Sequence, residues 1–108
     1  MIVRMWRGQT TGANAEAYER FVTTRVFAEL PAIDGHRGAY LLKRPIGEGL
    51  EFIVVTLWDS ADAIRRFAGD VIDRAVVEPE ARAVLSSFDD TVRHFDLAYG
   101  DCPAPQDW

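Results

Sequence analysis

An α+β fold is predicted for this chain, in the order strand, helix, strand, strand, helix, strand. Three observations predict it. Two segments with apolar residues spaced three and four apart each follow a short β-rich run. The two middle β-rich runs are joined by Ile46-Gly47-Glu48-Gly49, which is hairpin chemistry because glycine accepts positive φ. The chain has 108 residues, 48% hydrophobic and 27% charged, the composition of one folded domain.

The elements follow in order. Ile2, Val3, Met5 and Trp6 suit a pleated surface, and Gly8 is expected to end strand one, 2–8. Thr10 to Asn14 is a turn cluster, with Asn14 the expected N-cap and Glu16 placed against the positive helix end. Helix one is expected over 15–30, with Tyr18, Phe21, Val22, Val26 and Leu30 as its stripe and Pro31 as its stop. Strand two is 36–44, ended by Pro45, which cannot donate to a ladder. Strand three, 51–58, is the most apolar segment and the expected sheet centre. Asp59 or Ser60 caps helix two, 60–69, which buries Ala63, Ile64, Phe67 and Ala68 and stops at Gly69. The stretch 70–78 has no clean period. Pro79 opens a short helix, 79–87, with Val84 and Leu85 inward. Strand four is 91–98, which makes 1–98 one domain and 99–108 an extended tail.

This βαββαβ order is the ferredoxin-like layout, a four-stranded antiparallel sheet with helices on one face. The uncovered face should then alternate to polar residues. It does not: Val3, Met5, Ile53, Val55, Leu57, Phe95 and Leu97 form a smooth apolar set. An apolar face of that size marks an interface or a pocket, and a second copy of the chain packed sheet to sheet is the simplest cover. A homodimer is therefore expected. On the other parity lie Arg4, Trp6, Thr56, Trp58 and His94. Aromatic walls with a few polar groups are what small-molecule sites look like. These residues are expected to line a cavity inside each protomer's half of the dimeric barrel; the competing reading makes both indoles packing residues of the dimer core and pairs Arg4 with an acid. Tyr40 belongs to either face, since strand two reads in both phases.

Twelve basic residues against seventeen acidic give a net charge of −5, and the closest basic pairs, Lys43-Arg44 and Arg65-Arg66, sit among acids. Nucleic-acid binding, which rests on clustered phosphate-neutralising cations, is not expected. No apolar stretch approaches the roughly eighteen residues of a membrane span, and the N-terminus lacks a signal-peptide core, so no membrane partner and a cytoplasmic location are expected. Cys102 is the single cysteine, which excludes an intrachain disulfide. With only His36 and His94 beside it, no metal-ligand spacing exists, and no metal or cofactor is expected. Gly35 and Gly38 lack the Lys-Ser/Thr of a phosphate loop, and Ser86 and Ser87 have no nearby His. Asp89-Asp90 and Arg65-Arg66 read as solvated surface. His94, in mid-strand, is the best single candidate for acid–base work or ligation, against the alternative of a satisfied core histidine.

The strand IVRMWRG, the turn and strand IDGHRGAYLLKR, the run TLWDSADAIRRFAG and the closing PEARAVL and VRHFDL resemble the antibiotic biosynthesis monooxygenase domain family over residues 1–98. The resemblance implies a dimeric α+β barrel. Cofactor-free members of that family oxidise polycyclic phenols with molecular oxygen, by reaction of the deprotonated substrate's carbanion. By residue type and face, the resemblance implies Trp58 and Trp6 as the aromatic cleft with Thr56 beside them. It implies His94 or Tyr40 as the hydrogen-bonding group and Arg4 as the cation for the phenolate. The haem-degrading branch carries an Asn on the first strand and a Trp and a His after strand three. Here 2–8 has no Asn and 60–87 has neither Trp nor His. The expected function is a cofactor-independent monooxygenase of a small aromatic or phenolic substrate. The alternatives are a non-catalytic dimeric small-molecule binder and a haem-binding or haem-degrading protein.

Overall fold

A computed structural model describes residues 1–101. Cys102 and the rest of the expected tail, to Trp108, lie outside the described residues. The strands are β1 (Ile2–Thr11), β2 (His36–Ile46), β3 (Gly49–Trp58), β4 (Ser87–Phe88) and β5 (Arg93–Asp96). The helices are α1 (Ala15–Phe21), α2 (Phe27–Glu29), α3 (Ala61–Ala68) and α4 (Pro79–Val84). Every pairing is antiparallel, in the order β2-β3-β1, with β4 and β5 both on the far edge of β1. This is the expected α+β layout with one correction. The expected fourth strand, 91–98, is shortened to β5, and a two-residue strand, β4, precedes it on the same edge, so the sheet has five strands.

The long β1–β3 ladder organises the sheet. It runs unbroken from Ile2 opposite Trp58 to Thr11 opposite Gly49, which carries β1 past the expected end at Gly8. Gly8 serves close approach instead: a Cβ there would lie 2.6 Å from the Trp6 ring. Pro45 does not stop β2, which continues to Ile46. In this chain β2 is an edge strand, where a missing N–H breaks no ladder. The hairpin turns at Gly47, with φ at +57°.

Helix α1 starts without the expected cap. Asn14 has near-helical dihedrals and no side-chain capping bond, and its own N–H goes to Thr11. The helical path then widens into a π segment, Val22–Val26, before α2 and a 3-10 turn, Leu30–Ala32. The cause is local. The hydroxyls of Thr23 and Thr24 bond the carbonyls of Glu19 and Arg20, at 2.9 and 2.6 Å, and compete with the helical ladder. Helix α3 begins as expected, with the Ser60 side chain accepting from the Ala63 N–H, and ends at Gly69. Helix α4 is shorter than expected because Leu85 turns extended and the Ser86 N–H bonds the Gln9 carbonyl.

All helices lie on one sheet face. The core beneath them has two centres: Tyr18, Val22, Phe52 and Ala81, and Leu30, Trp58, Ala63 and Ile64. No helix among the described residues is long and apolar enough to cross a membrane. The other sheet face stays open. It carries Val3, Met5, Ile53, Val55 and Leu57 at its centre, and Tyr40, Leu42 and Phe95 about half exposed around them. At one end Glu51, 4% exposed, is held between Arg7 and Arg44. A second copy is the cover expected for this surface. Sedimentation at micromolar concentration should therefore give a species of about twice 12.1 kDa, and Leu42→Asp with Phe95→Asp should lower it to the monomer. A wild-type chain sedimenting only at the monomer mass would contradict the expectation.

Candidate functional site

The β1–β3 register puts Arg4 opposite Thr56 and Ile2 opposite Trp58, and β5 brings His94 to Arg4 from the other side. Arg4, Trp6, Thr56, Trp58 and His94 thus share one face, and it is the face under the helices. Tyr40, opposite Val55, lies on the open face. A cavity of about 70 Å³ sits between this sheet face and the helical layer. That is room for about two waters, at roughly 30 Å³ each. Of the expected residues, Arg4, Trp6 and Thr56 line it. Trp58, His94 and Tyr40 do not.

Trp58 is part of the packed core. It is fully buried among Leu30, Ala63 and Ile64, stacks on Phe67 at 5.8 Å between centroids, and meets the edge of His36 at 5.1 Å. Its indole N–H bonds the Thr56 hydroxyl at 2.8 Å, so the pair satisfies itself inside the protein. Strand parity could not show this, because it tells which residues share a face but not which face the helices cover. Trp6 is different. Its indole N–H donates to the Asp89 carbonyl at 2.8 Å while its ring borders the cavity. That carbonyl lies between β4 and β5.

Arg4 is 4% exposed. Its guanidinium donates to the carbonyl of Ile72, to the carbonyl of Arg74 at 3.1 Å, and to His94 Nε2 at 3.0 Å. No carboxylate lies at ion-pair distance from it among the described residues. Burial pushes its pKa down to about 10, opposed by the field of Asp73, so it remains a cation at neutral pH. A guanidinium carries only donors, so the facing His94 Nε2 is the acceptor and Nδ1 holds the proton. That proton points to Asp73 Oδ1 at 3.1 Å. Phe67 lies 5.8 Å beneath the guanidinium carbon, within cation–π range.

Three further cavity residues were not among those expected at the site. Tyr18, read as a core stripe residue, is 2% exposed, and its hydroxyl makes no hydrogen bond among the described residues. Burial pushes its phenol well above the usual range. Phe67 forms part of the wall, and Glu78, from the stretch without clean period, stands beside Val76 and Val77. The site is therefore one buried cation, one buried phenol, one carboxylate at Glu78 and aromatic walls. Aromatic walls with a few polar groups are the make-up of a small-molecule site.

No group of three His, Cys, Asp or Glu among the described residues is placed to hold a metal. Haem does not fit the cavity. No His, Cys or Met among the described residues lines it, and both nitrogens of His94 are engaged elsewhere.

No family model matches the chain, and no curated protein matches it in sequence. Solved structures share its fold. A single-site mutant of SnoaB, a cofactor-independent oxygenase from Streptomyces nogalater, superposes with a TM-score of 0.65 at 22% identity, over 92% of this chain and 94% of the other. A Bacillus cereus protein assigned as an antibiotic biosynthesis monooxygenase gives 0.62 at 12% identity, over 96% and 97%. The haem degrader MhuD of Mycobacterium tuberculosis, with two haems in its active site, gives 0.60 at 23% identity, over 94% and 100%.

Two outcomes follow from this geometry. Trp58→Ala removes a fully buried indole and should cost roughly 3–5 kcal/mol in a denaturant titration; a cost under about 1 kcal/mol would contradict the packing role. Burial lowers the pKa of His36 below its usual 6.5, partly offset by a hydrogen bond with the Gly38 backbone. The unfolded chain then takes up the proton first. Stability is complete above 6.5 and is lost as pH falls below it, toward the folded value. The fall in the urea midpoint between pH 7.5 and 5.5 should be smaller in His36→Phe than in wild type. Equal slopes would contradict the assignment.

Proposed function

We propose that this chain is a cofactor-independent oxygenase that takes an aromatic phenol or enol as its anion and oxidises it with molecular oxygen. One observation carries the reading: a buried guanidinium with no carboxylate partner among the described residues borders an aromatic-walled cavity. A buried cation in that state is costly alone and is relieved by an anion. Three of its five N–H groups are taken by Ile72, Arg74 and His94. The Nε proton and one Nη2 proton have no partner among the described residues.

The chemistry needs little more. The ring carbon gives up one proton to solvent, and the single charge that remains is spread onto the conjugated oxygen, which Arg4 holds. The resulting carbanion supplies the electrons. For an anthrone-type ring, the CH₂ becomes a carbonyl with one atom of O₂, and the other atom leaves as water with the two hydrogens. No external reductant enters the balance. Trp6 and Phe67 supply flat walls against the rings, and Tyr18 a hydroxyl for a second substrate oxygen. The likeness to SnoaB supports the fold required, and the resemblance in sequence supports the reaction class. The cavity is smaller than a tricyclic substrate. The π segment, whose Val22 and Val26 line the cavity, is of a kind that clusters at functional sites.

Oxygen uptake with 1,8-dihydroxyanthrone tests the reading. Wild type should consume oxygen above the buffer rate. Arg4→Met, nearly isosteric along its stem, should lose about 100-fold in kcat/KM while keeping its far-UV circular dichroism. Binding of the compound without oxygen consumption would overturn the oxygenase in favour of a non-catalytic binder. An unimpaired Arg4→Met would overturn the role of the cation.

A further inference from the structure

Three consecutive residues, Ile72, Asp73 and Arg74, all act on Arg4. Two do so through their backbone carbonyls, and Asp73 does so through the imidazole of His94. The segment has no regular structure of its own. It is tied to the segment between β4 and β5 by a bridge between Arg74 and Thr91 and by two bonds, Ala75 N–H to the Asp90 carbonyl and Val92 N–H to the Asp73 carbonyl, each 2.8 Å. Burial falls along the chain of bonds, from Arg4 at 4% exposed to an Asp73 side chain that is 74% exposed. Asp73 is thus the carboxylate that reaches the buried cation, and it reaches it through one ring.

We infer that Asp73 and His94 are positioning residues for Arg4, holding its guanidinium so that its unpartnered N–H groups face the cavity. The inference rests on the reading of Arg4 as the anion-binding group under the proposed function. Imidazole has two neutral tautomers, and only the one protonated on Nδ1 leaves Nε2 free to accept from Arg4. The Asp73 carboxylate accepts the Nδ1 proton and so selects that tautomer. In the other tautomer two donors would face each other across 3.0 Å, and the guanidinium would have to turn away. Neither residue touches the cavity, so each acts through another group. The same strand of chain continues into Val76, Val77 and Glu78, which line the cavity. The segment that aims the cation therefore also walls the space it faces.

The test uses the full chain and two readouts. Nitrogen-15 NMR of the imidazole should show Nδ1 protonated and Nε2 bare in wild type, and a shift toward mixed tautomers in Asp73→Ala, a change at an exposed side chain that should leave the fold intact. Calorimetric titration with 2-naphthol should show His94→Leu weakened about tenfold. His94→Gln, whose amide oxygen can stand in for the Nε2 acceptor, should stay within about twofold of wild type. Asp73→Ala should fall between them. The inference is overturned if Nε2 carries the proton, if Asp73→Ala leaves the tautomer unchanged, or if His94→Leu binds 2-naphthol as wild type does. It is also overturned if His94→Gln is as poor as His94→Leu, since that loss is merely structural. Failure of wild type to bind 2-naphthol would count against the proposed function instead, and the tautomer measurement alone would then decide the positioning.

Discussion

A guanidinium buried beneath the helices, with no carboxylate at ion-pair distance among the described residues, is the constraint around which this molecule is arranged. Arg4 sits on β1 between two ladders, opposite Thr56 on one side and His94 on the other. A charge there needs partners, because a bare buried cation costs several kcal/mol even after relaxation. The chain answers with backbone carbonyls from Ile72 and Arg74, the ring of His94, and the face of Phe67. The two carbonyls come from the irregular stretch after α3, which folds back over the sheet and pairs with the segment between β4 and β5.

The two tryptophans on this face show how the same residue type is put to two uses. Trp58 faces Leu30, Ala63 and Ile64, where helix α3 and the end of the first helical run close over it, and its N–H is satisfied by Thr56. Trp6 faces the wider gap under α1 and the π segment, and its N–H is satisfied by a loop carbonyl at Asp89. One core centre closes around Trp58, and the cavity borders the other, with Tyr18, Val22 and Ala81 in its lining.

Much of this was legible in the sequence, and the reasons for the rest are physical. Alternation along β1 and β3 placed Arg4, Trp6, Thr56 and Trp58 on one face, because the side-chain period of a strand is two. It could not tell the covered face from the open one, since both are apolar. Hence Trp58 belongs to the core and Tyr40 to the other face. The partners of Arg4 were hidden because a backbone carbonyl has no signature in sequence, and 70–78 has no period from which to read a path. Tyr18 fits an apolar helical stripe equally well whether its hydroxyl meets a cavity or solvent. The π segment rests on two threonines whose hydroxyls compete for carbonyls, a weak local effect that a pattern of apolar spacing overlooks.

The central claim is that Arg4 receives an anion. The most direct measurement is the visible absorption spectrum of 1,8-dihydroxyanthrone bound to the chain without oxygen, near neutral pH. A buried guanidinium against the bound oxygen stabilises the ionised form, so the account predicts the spectrum of the anion at a pH where the free compound is neutral. Bound compound with the spectrum of the neutral phenol would contradict it.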